Sequence, residues 1–134
     1  MTTTGSDLEG LTLLGREAKP SKKLETFPNH HPGRRYVVTL QTDEFTCVCP
    51  ATGQPDFATI TIQYTPDQKI LESKSLKLYL SSYRNEGVFH EHVCNQILDD
   101  LATALDPHWL KVTGAFKVRG GISITVEAEH SKNS

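Results

Sequence analysis

The sequence has no apolar run approaching the ~18 residues that a membrane-spanning helix needs, so no transmembrane segment is expected. Its first residues are polar and lack the apolar core of a secretory signal, which points to a cytoplasmic setting. Cysteine is scarce and odd in number: three thiols exclude a fully paired disulfide scaffold and fit a reducing compartment. Net charge is nearly absent, at −2, so no global field draws the chain to nucleic acid or to an anionic membrane. There is no G-x-G-x-x-G and no Walker loop, so any dinucleotide must be held in a non-Rossmann way. No internal repeat or low-complexity tract is present. What remains is a 134-residue chain, 37% hydrophobic and 22% charged, in the range of a single globular domain.

Residues 1–34 read as an arm. They are polar, broken by Pro20, Pro28, Pro32 and Gly33, with Leu11, Leu13 and Leu14 as docking residues. Residues 35–134 read as the folded domain. Strand character runs from Arg35 to Thr46 and on toward Cys49; Cys47 and Cys49 share a face if one strand passes through both. Phe57 to Tyr64 alternates strictly, Ala58, Ile60, Ile62 and Tyr64 against Thr59, Thr61 and Gln63, the pattern of a half-buried antiparallel strand. After a turn at 65–68, residues 69–83 allow two readings: Leu76, Leu78 and Leu80 alternate as in a strand, while Leu76, Leu80 and Tyr83 keep helical spacing; the favoured reading is a short strand through Ile70 and Leu71, then a helix from about Ser75 to Arg84. Ser73 or Ser75 is its expected cap and Gly87 its stop. Phe89, Val93, Ile97, Leu101 and Leu105 predict a second helix over 89–105, closed by Asp106-Pro107. Trp109–Val118 and Ile122–His130 form a hairpin about Gly120-Gly121. This order predicts an α+β domain: an antiparallel sheet with two helices on one face and two free edges, which neighbouring subunits often close.

The chemistry concentrates in Cys49-Pro50-Ala51-Thr52-Gly53-Gln54-Pro55-Asp56. A stiff Pro- and Gly-rich loop sets a thiol and a carboxylate seven residues apart. Cys49 is the candidate nucleophile, against the common fate of a free cysteine as a small buried hydrophobe. Asp56 is the candidate acid, against a turn aspartate that merely caps backbone N–H groups. Lys74 and Lys77 share a helical face and suit anionic phosphates, or form a solvated surface. Cys47, Cys49, Cys94, His90 and His92 allow a zinc reading, but Cys-x-Cys and His-x-His are not the usual ligand spacings, so no metal site is expected.

Taken together, residues 49–58, the stretch Glu72-Ser73-Lys74-Ser75-Leu76-Lys77-Leu78-Tyr79 and Phe89-His90-Glu91 resemble the NADPH-dependent 7-cyano-7-deazaguanine reductases, the QueF family in its short single-domain form. The resemblance runs from about Thr42 to Val126. It implies a tunnelling fold (T-fold) whose subunits join edge to edge into a barrel, with sites at subunit interfaces. It implies reduction of a nitrile to a primary amine by two NADPH, through a covalent thioimide, in the making of the transfer-RNA base queuosine. The partners implied are a small deazaguanine and further copies of the chain, with neither a nucleic acid nor a membrane bound directly. On this resemblance Cys49 matches the nucleophile and Asp56 the proton donor. Leu71, Glu72, Ser73, His90 and Glu91 match the positions that hold the deazaguanine. Lys74 and Lys77, with Arg119 at the hairpin turn, match residues assigned to the cofactor phosphates. Cys94, one turn beyond His90, is a candidate partner for Cys49 in a protective disulfide. The competing readings are a zinc-dependent pterin or purine enzyme of the same fold, cyclohydrolase-like, and a purine-binding module without catalysis.

Overall fold

A computed structural model describes residues 19–132. Leu11, Leu13 and Leu14 of the expected arm lie outside the described residues. The chain runs β1 (Thr26–Pro28), β2 (Val38–Val48), β3 (Pro55–Thr65), β4 (Lys69–Leu71), α1 (Ser73–Ser81), α2 (His90–Leu105), β5 (Trp109–Arg119) and β6 (Ile122–Ser131). Four strands form an antiparallel sheet in the order β2-β3-β5-β6, and β1 pairs with β4 in a two-stranded ribbon. Among the described residues, no helix is long and apolar enough to cross a membrane.

The alternation in β3 sets the layering. Ala58, Ile60, Ile62 and Tyr64 are each at most 1% exposed. In register beside them lie Phe116, Gly114, Val112 and Leu110 of β5. Phe45 and Cys47 of β2 extend the same apolar surface. Thr59, Thr61 and Gln63 are carried on the opposite face. Both helices cover the apolar face: α2 packs across β5 and β6, while α1 lies beside β2. Val93, Ile97, Leu101 and Leu105 of α2 are buried, as their spacing predicts, and each fully buried side chain of this kind contributes about 1.5–3 kcal/mol. The helix rests so closely on the sheet that a Cβ at Gly114 would come within 2.4 Å of the Cys94 Sγ.

Several local expectations change. The first helix starts at Ser73, and its cap is neither serine: the Glu72 carboxylate accepts the N–H groups of Lys74 and Ser75, both at 2.8 Å. The cap position falls on Glu72 because the helix already includes Ser73 and Ser75. The Ser75 hydroxyl donates to the Glu72 carbonyl and accepts from the Glu25 N–H. The helix ends at Ser81, so Gly87 is not its stop. Gly87 instead bridges to Val48, and a Cβ there would meet the Pro50 Cα at 3.2 Å. Phe89 precedes the second helix as its N-cap and is 55% exposed, outside the buried stripe. β2 ends at Val48, so Cys47 belongs to the strand and Cys49 to the loop. Residues 26–28 of the expected arm form β1, a strand too short for its alternation to show in sequence.

Candidate active site

The loop after β2 is closed by its own backbone. The Cys49 N–H donates to the Gln54 carbonyl at 2.8 Å, and the Gly53 N–H returns to the Cys49 carbonyl at 2.8 Å. Gly53 sits at φ +73°, a conformation that only glycine takes without strain. The Gln54 N–H donates to the Thr52 hydroxyl oxygen at 3.3 Å. Residues 86–88 brace the loop from outside: the Val48 N–H donates to the Glu86 carbonyl, and the Val88 N–H to the Val48 carbonyl. That brace leads straight into α2, so the Cys49 loop and the first turn of α2 are fixed together. The Thr52 hydroxyl, followed by the backbone N–H groups of Thr52 and Ala51, holds the half-buried Cys49 thiol below its ordinary pKa, against smaller opposing effects of burial and of Asp56. Hydrogen bonds to the thiolate favour the charged, reactive form.

Asp56 enters β3 opposite Cys47 and is 8% exposed. Its two oxygens have different partners. Oδ2 lies 3.2 Å from the His90 Nε2, and Oδ1 lies 3.4 Å from the Arg119 guanidinium. The His90 ring is itself fixed, stacked flat on Phe116 with centroids 3.8 Å apart and planes 6° off parallel. Arg119 also donates to the Gln54 side-chain oxygen at 3.2 Å and to the Pro55 carbonyl. Two features aim it there. The β5–β6 register shifts between Phe116 and Arg119, and Gly120 and Gly121 turn the chain at φ +62° and +79°. Glu91 follows His90 in the first turn of α2, where the helix dipole favours a carboxylate.

The structure therefore gathers Cys49, Asp56, His90 and Arg119 at one end of the sheet, with Glu91 beside His90. It does not bring Leu71, Glu72, Ser73, Lys74 and Lys77 to them. The Leu71 N–H donates to the Tyr64 hydroxyl at 2.9 Å. Tyr64 lies eight residues along β3 from Asp56, about 26 Å at the rise of a strand. Glu72 and Ser73 start α1 there, and the exposed Lys74 and Lys77 follow on the helix. Capping also holds the Glu72 carboxyl below its ordinary range, through the N–H groups of Lys74 and Ser75 first. A groove of about 770 Å³ opens between α1 and the β2–β3 surface, with Ser73, Lys77 and Arg84 from the helix side and Leu40, Phe45 and Ile62 from the sheet.

Cys94 is fully buried against Gly114, and burial, then the nearby Cys47 and Glu91, raise its thiol to about 12. A disulfide from it to the loop thiol of Cys49 would require this core to open. Sequence reasoning missed Thr52, Phe116 and Gln54. A threonine three residues after a loop cysteine carries its signal only in the habit of hydroxyls to bond nearby groups in turns. Phe116 read as one more core position of β5, with nothing to mark a ring for His90. Among the described residues, no three His, Cys, Asp or Glu side chains converge as metal ligands. His92, one of the zinc candidates, lies edge-on to Phe89.

Comparison with known proteins identifies the family of the chain. The family model described as QueF-like protein matches residues 55–134. The NADPH-dependent 7-cyano-7-deazaguanine reductase of Syntrophus aciditrophicus is 72% identical over 130 residues, covering 97% of this chain and 93% of the relative. The protein of the same name from Alkalilimnicola ehrlichii is 58% identical over 85% of this chain and 88% of its own length. Among solved structures, the apo form of archaeosine synthase QueF-Like superposes with a TM-score of 0.65 at 28% identity, over 69% of this chain and 91% of that one.

Proposed function

We infer the activity from a single premise: this chain belongs to the QueF-like protein family. It has the tunnelling fold and is an enzyme. It reduces the nitrile of 7-cyano-7-deazaguanine to the primary amine with NADPH, a step toward queuosine. The observation that carries the chemistry is a thiol made more acidic than usual by its loop, next to a carboxylate that is 8% exposed and held on both oxygens.

A nitrile carbon is a modest electrophile, so attack on it needs a thiolate and a proton for the nitrogen. The Cys49 sulfur forms the new bond to carbon, and one C–N π bond breaks. The proton that leaves the thiol reaches nitrogen by way of Asp56, leaving a covalent thioimide on Cys49. No outside reductant is needed up to that point. When bound, NADPH supplies the hydride for each of two reductions, four electrons in all. Between the two hydride deliveries the C–S bond must break, with its electron pair returning to sulfur, so that the second hydride meets the imine left behind. The Thr52 hydroxyl and the N–H groups of Ala51 and Thr52, which favour thiolate, favour that departure as well. Lys74 and Lys77 fit the cofactor phosphates, since both are exposed cations a turn apart on α1. Arg119 is assigned to the same phosphates. His90 and Glu91 would hold the deazaguanine, the carboxylate accepting N–H groups from its guanine-like edge, and Leu71, Glu72 and Ser73 would complete that pocket.

Those residues begin α1 about 26 Å of strand away from Asp56, farther than one deazaguanine spans. The sites are thus composed between copies, with β2 and β6 as the edges free to pair. Mixing inactive Cys49→Ala with inactive Glu72→Ala chains and reassembling them should restore part of the activity; no recovery would oppose a shared site. A cytoplasmic setting belongs to the same reading and agrees with three free thiols. The zinc-dependent alternative is carried by no observation here.

The direct test is the intact mass of the protein mixed with 7-cyano-7-deazaguanine without NADPH. A gain equal to the whole nitrile, absent in Cys49→Ala, is the expected result. A Cys49→Ala protein that still consumed NADPH with the nitrile would refute the mechanism.

A further inference from the structure

The guanidinium of Arg119 has more to do in this structure than face an anion. Its nearest partners are Asp56, the Gln54 side chain and the Pro55 carbonyl. All three belong to the segment that joins nucleophile to acid. A carboxylate at the start of a strand is free to turn about its own Cβ–Cγ bond unless both oxygens are engaged. His90 holds one oxygen, and only Arg119 is in contact with the other among the described ion pairs. Without Arg119, Asp56 would pivot on His90, and the loop that carries Cys49 would lose its tie to the hairpin tip. The fold takes specific steps to put the arginine there: a register shift just before it in β5 and two left-handed glycines just after it. A plain two-residue hairpin in unbroken register would not deliver the side chain to Gln54 and Pro55.

We propose that Arg119 is a positioning residue for the first chemical step, setting the Asp56 carboxylate and the Cys49 loop in the geometry for thioimide formation before any cofactor arrives. This rests on the thioimide mechanism above and adds to it. A residue that served only the cofactor phosphates would be silent in a step that uses no cofactor. With Asp56 turned away, the proton from the Cys49 thiol has no carrier to the nitrile nitrogen, and adduct formation slows even when the nitrile is bound. Misplacement of a proton carrier by about 1 Å costs on the order of a hundredfold.

The experiment follows the covalent adduct by rapid-quench intact mass, with 7-cyano-7-deazaguanine and no NADPH, in wild type, Arg119→Gln and Arg119→Lys. Nitrile affinity is measured separately on the Cys49→Ala background. The expected result is an adduct rate about tenfold to a hundredfold lower in Arg119→Gln. Nitrile affinity should be retained, and Arg119→Lys should recover part of the rate, because an ammonium cannot meet Asp56, Gln54 and Pro55 together. An Arg119→Gln protein that forms adduct at the wild-type rate, with only its KM for NADPH raised, overturns the proposal and leaves Arg119 as a phosphate ligand. If wild type forms no adduct, the failure is that of the thioimide mechanism. Should Arg119→Gln fail to fold, Arg119→Lys decides: a slowed adduct supports the proposal, and an unchanged one overturns it.

Discussion

Cys47 and Cys49 lie two residues apart, and Asp56 acts on both, yet the protein treats them oppositely. Cys47 is the penultimate residue of β2, wholly buried, and burial followed by the Asp56 charge pushes its thiol up to about 11. Cys49 is one residue past the strand's end, and the Thr52 hydroxyl with two backbone N–H groups pulls its thiol down. The carboxylate opposes ionisation at each, so it does not separate them. What separates them is the end of the ladder. Inside the strand the backbone is extended, its donors point along the sheet and away from the side chain, and the Cys47 side chain meets apolar surface. Past the end the backbone turns, and uncommitted donors converge on sulfur. The opposite shifts of the two thiols follow from where the strand stops.

Breaking the shared element gives the largest effect. Asp56→Asn should bind the deazaguanine and lose about a hundredfold or more of turnover, the usual share of a positioned proton carrier; steady-state rates beside a binding titration check it. Disturbing only the buried side should change stability and not reactivity. Gly114→Ala drives a methyl group into the Cys94 sulfur, and overpacking of this kind costs about 1–3 kcal/mol. Urea unfolding should show that loss while the alkylation rate of Cys49 stays at the wild-type value. The smallest effect sharpens the exposed side. Thr52→Val removes the largest contribution that lowers the Cys49 thiol, so the midpoint of its alkylation-versus-pH curve should move up toward an ordinary thiol. Below that midpoint less thiolate is present, and iodoacetamide labelling should slow. A midpoint that did not move would return the credit to the backbone.

The period-two runs at 57–64 and in the hairpin, and the four-residue spacing of α2, were legible because each repeats a choice many times. Cys49 and Asp56 were legible as candidates because one short Pro- and Gly-rich loop carries both. The Arg119–Asp56 contact was not, since it joins residues on opposite sides of both helices and depends on a register shift that leaves no mark in composition. The Glu72 cap was missed because serine is the commoner capping residue and the helix starts at Ser73, two residues before the expected Ser75. Division of the expected site residues between two ends of the sheet was hidden too, because spacing along a chain does not fix distance across a fold.

The strap formed by residues 21–28 has a consequence for the order of events as the chain is made. The Ser21 N–H donates to the Leu78 carbonyl, Glu25 exchanges hydrogen bonds with Ser75 and Glu72, and β1 pairs with β4. All these partners lie about fifty residues downstream and are translated later. The strap emerges from the ribosome with nothing to bind and must wait for α1. The start of α1, in turn, is finished only when that early segment returns to it. Closing so long a loop is slow compared with forming a helix or a hairpin. The beginning of the described chain is therefore expected among the last parts to settle, and the Glu72–Ser73 corner takes its final form with it.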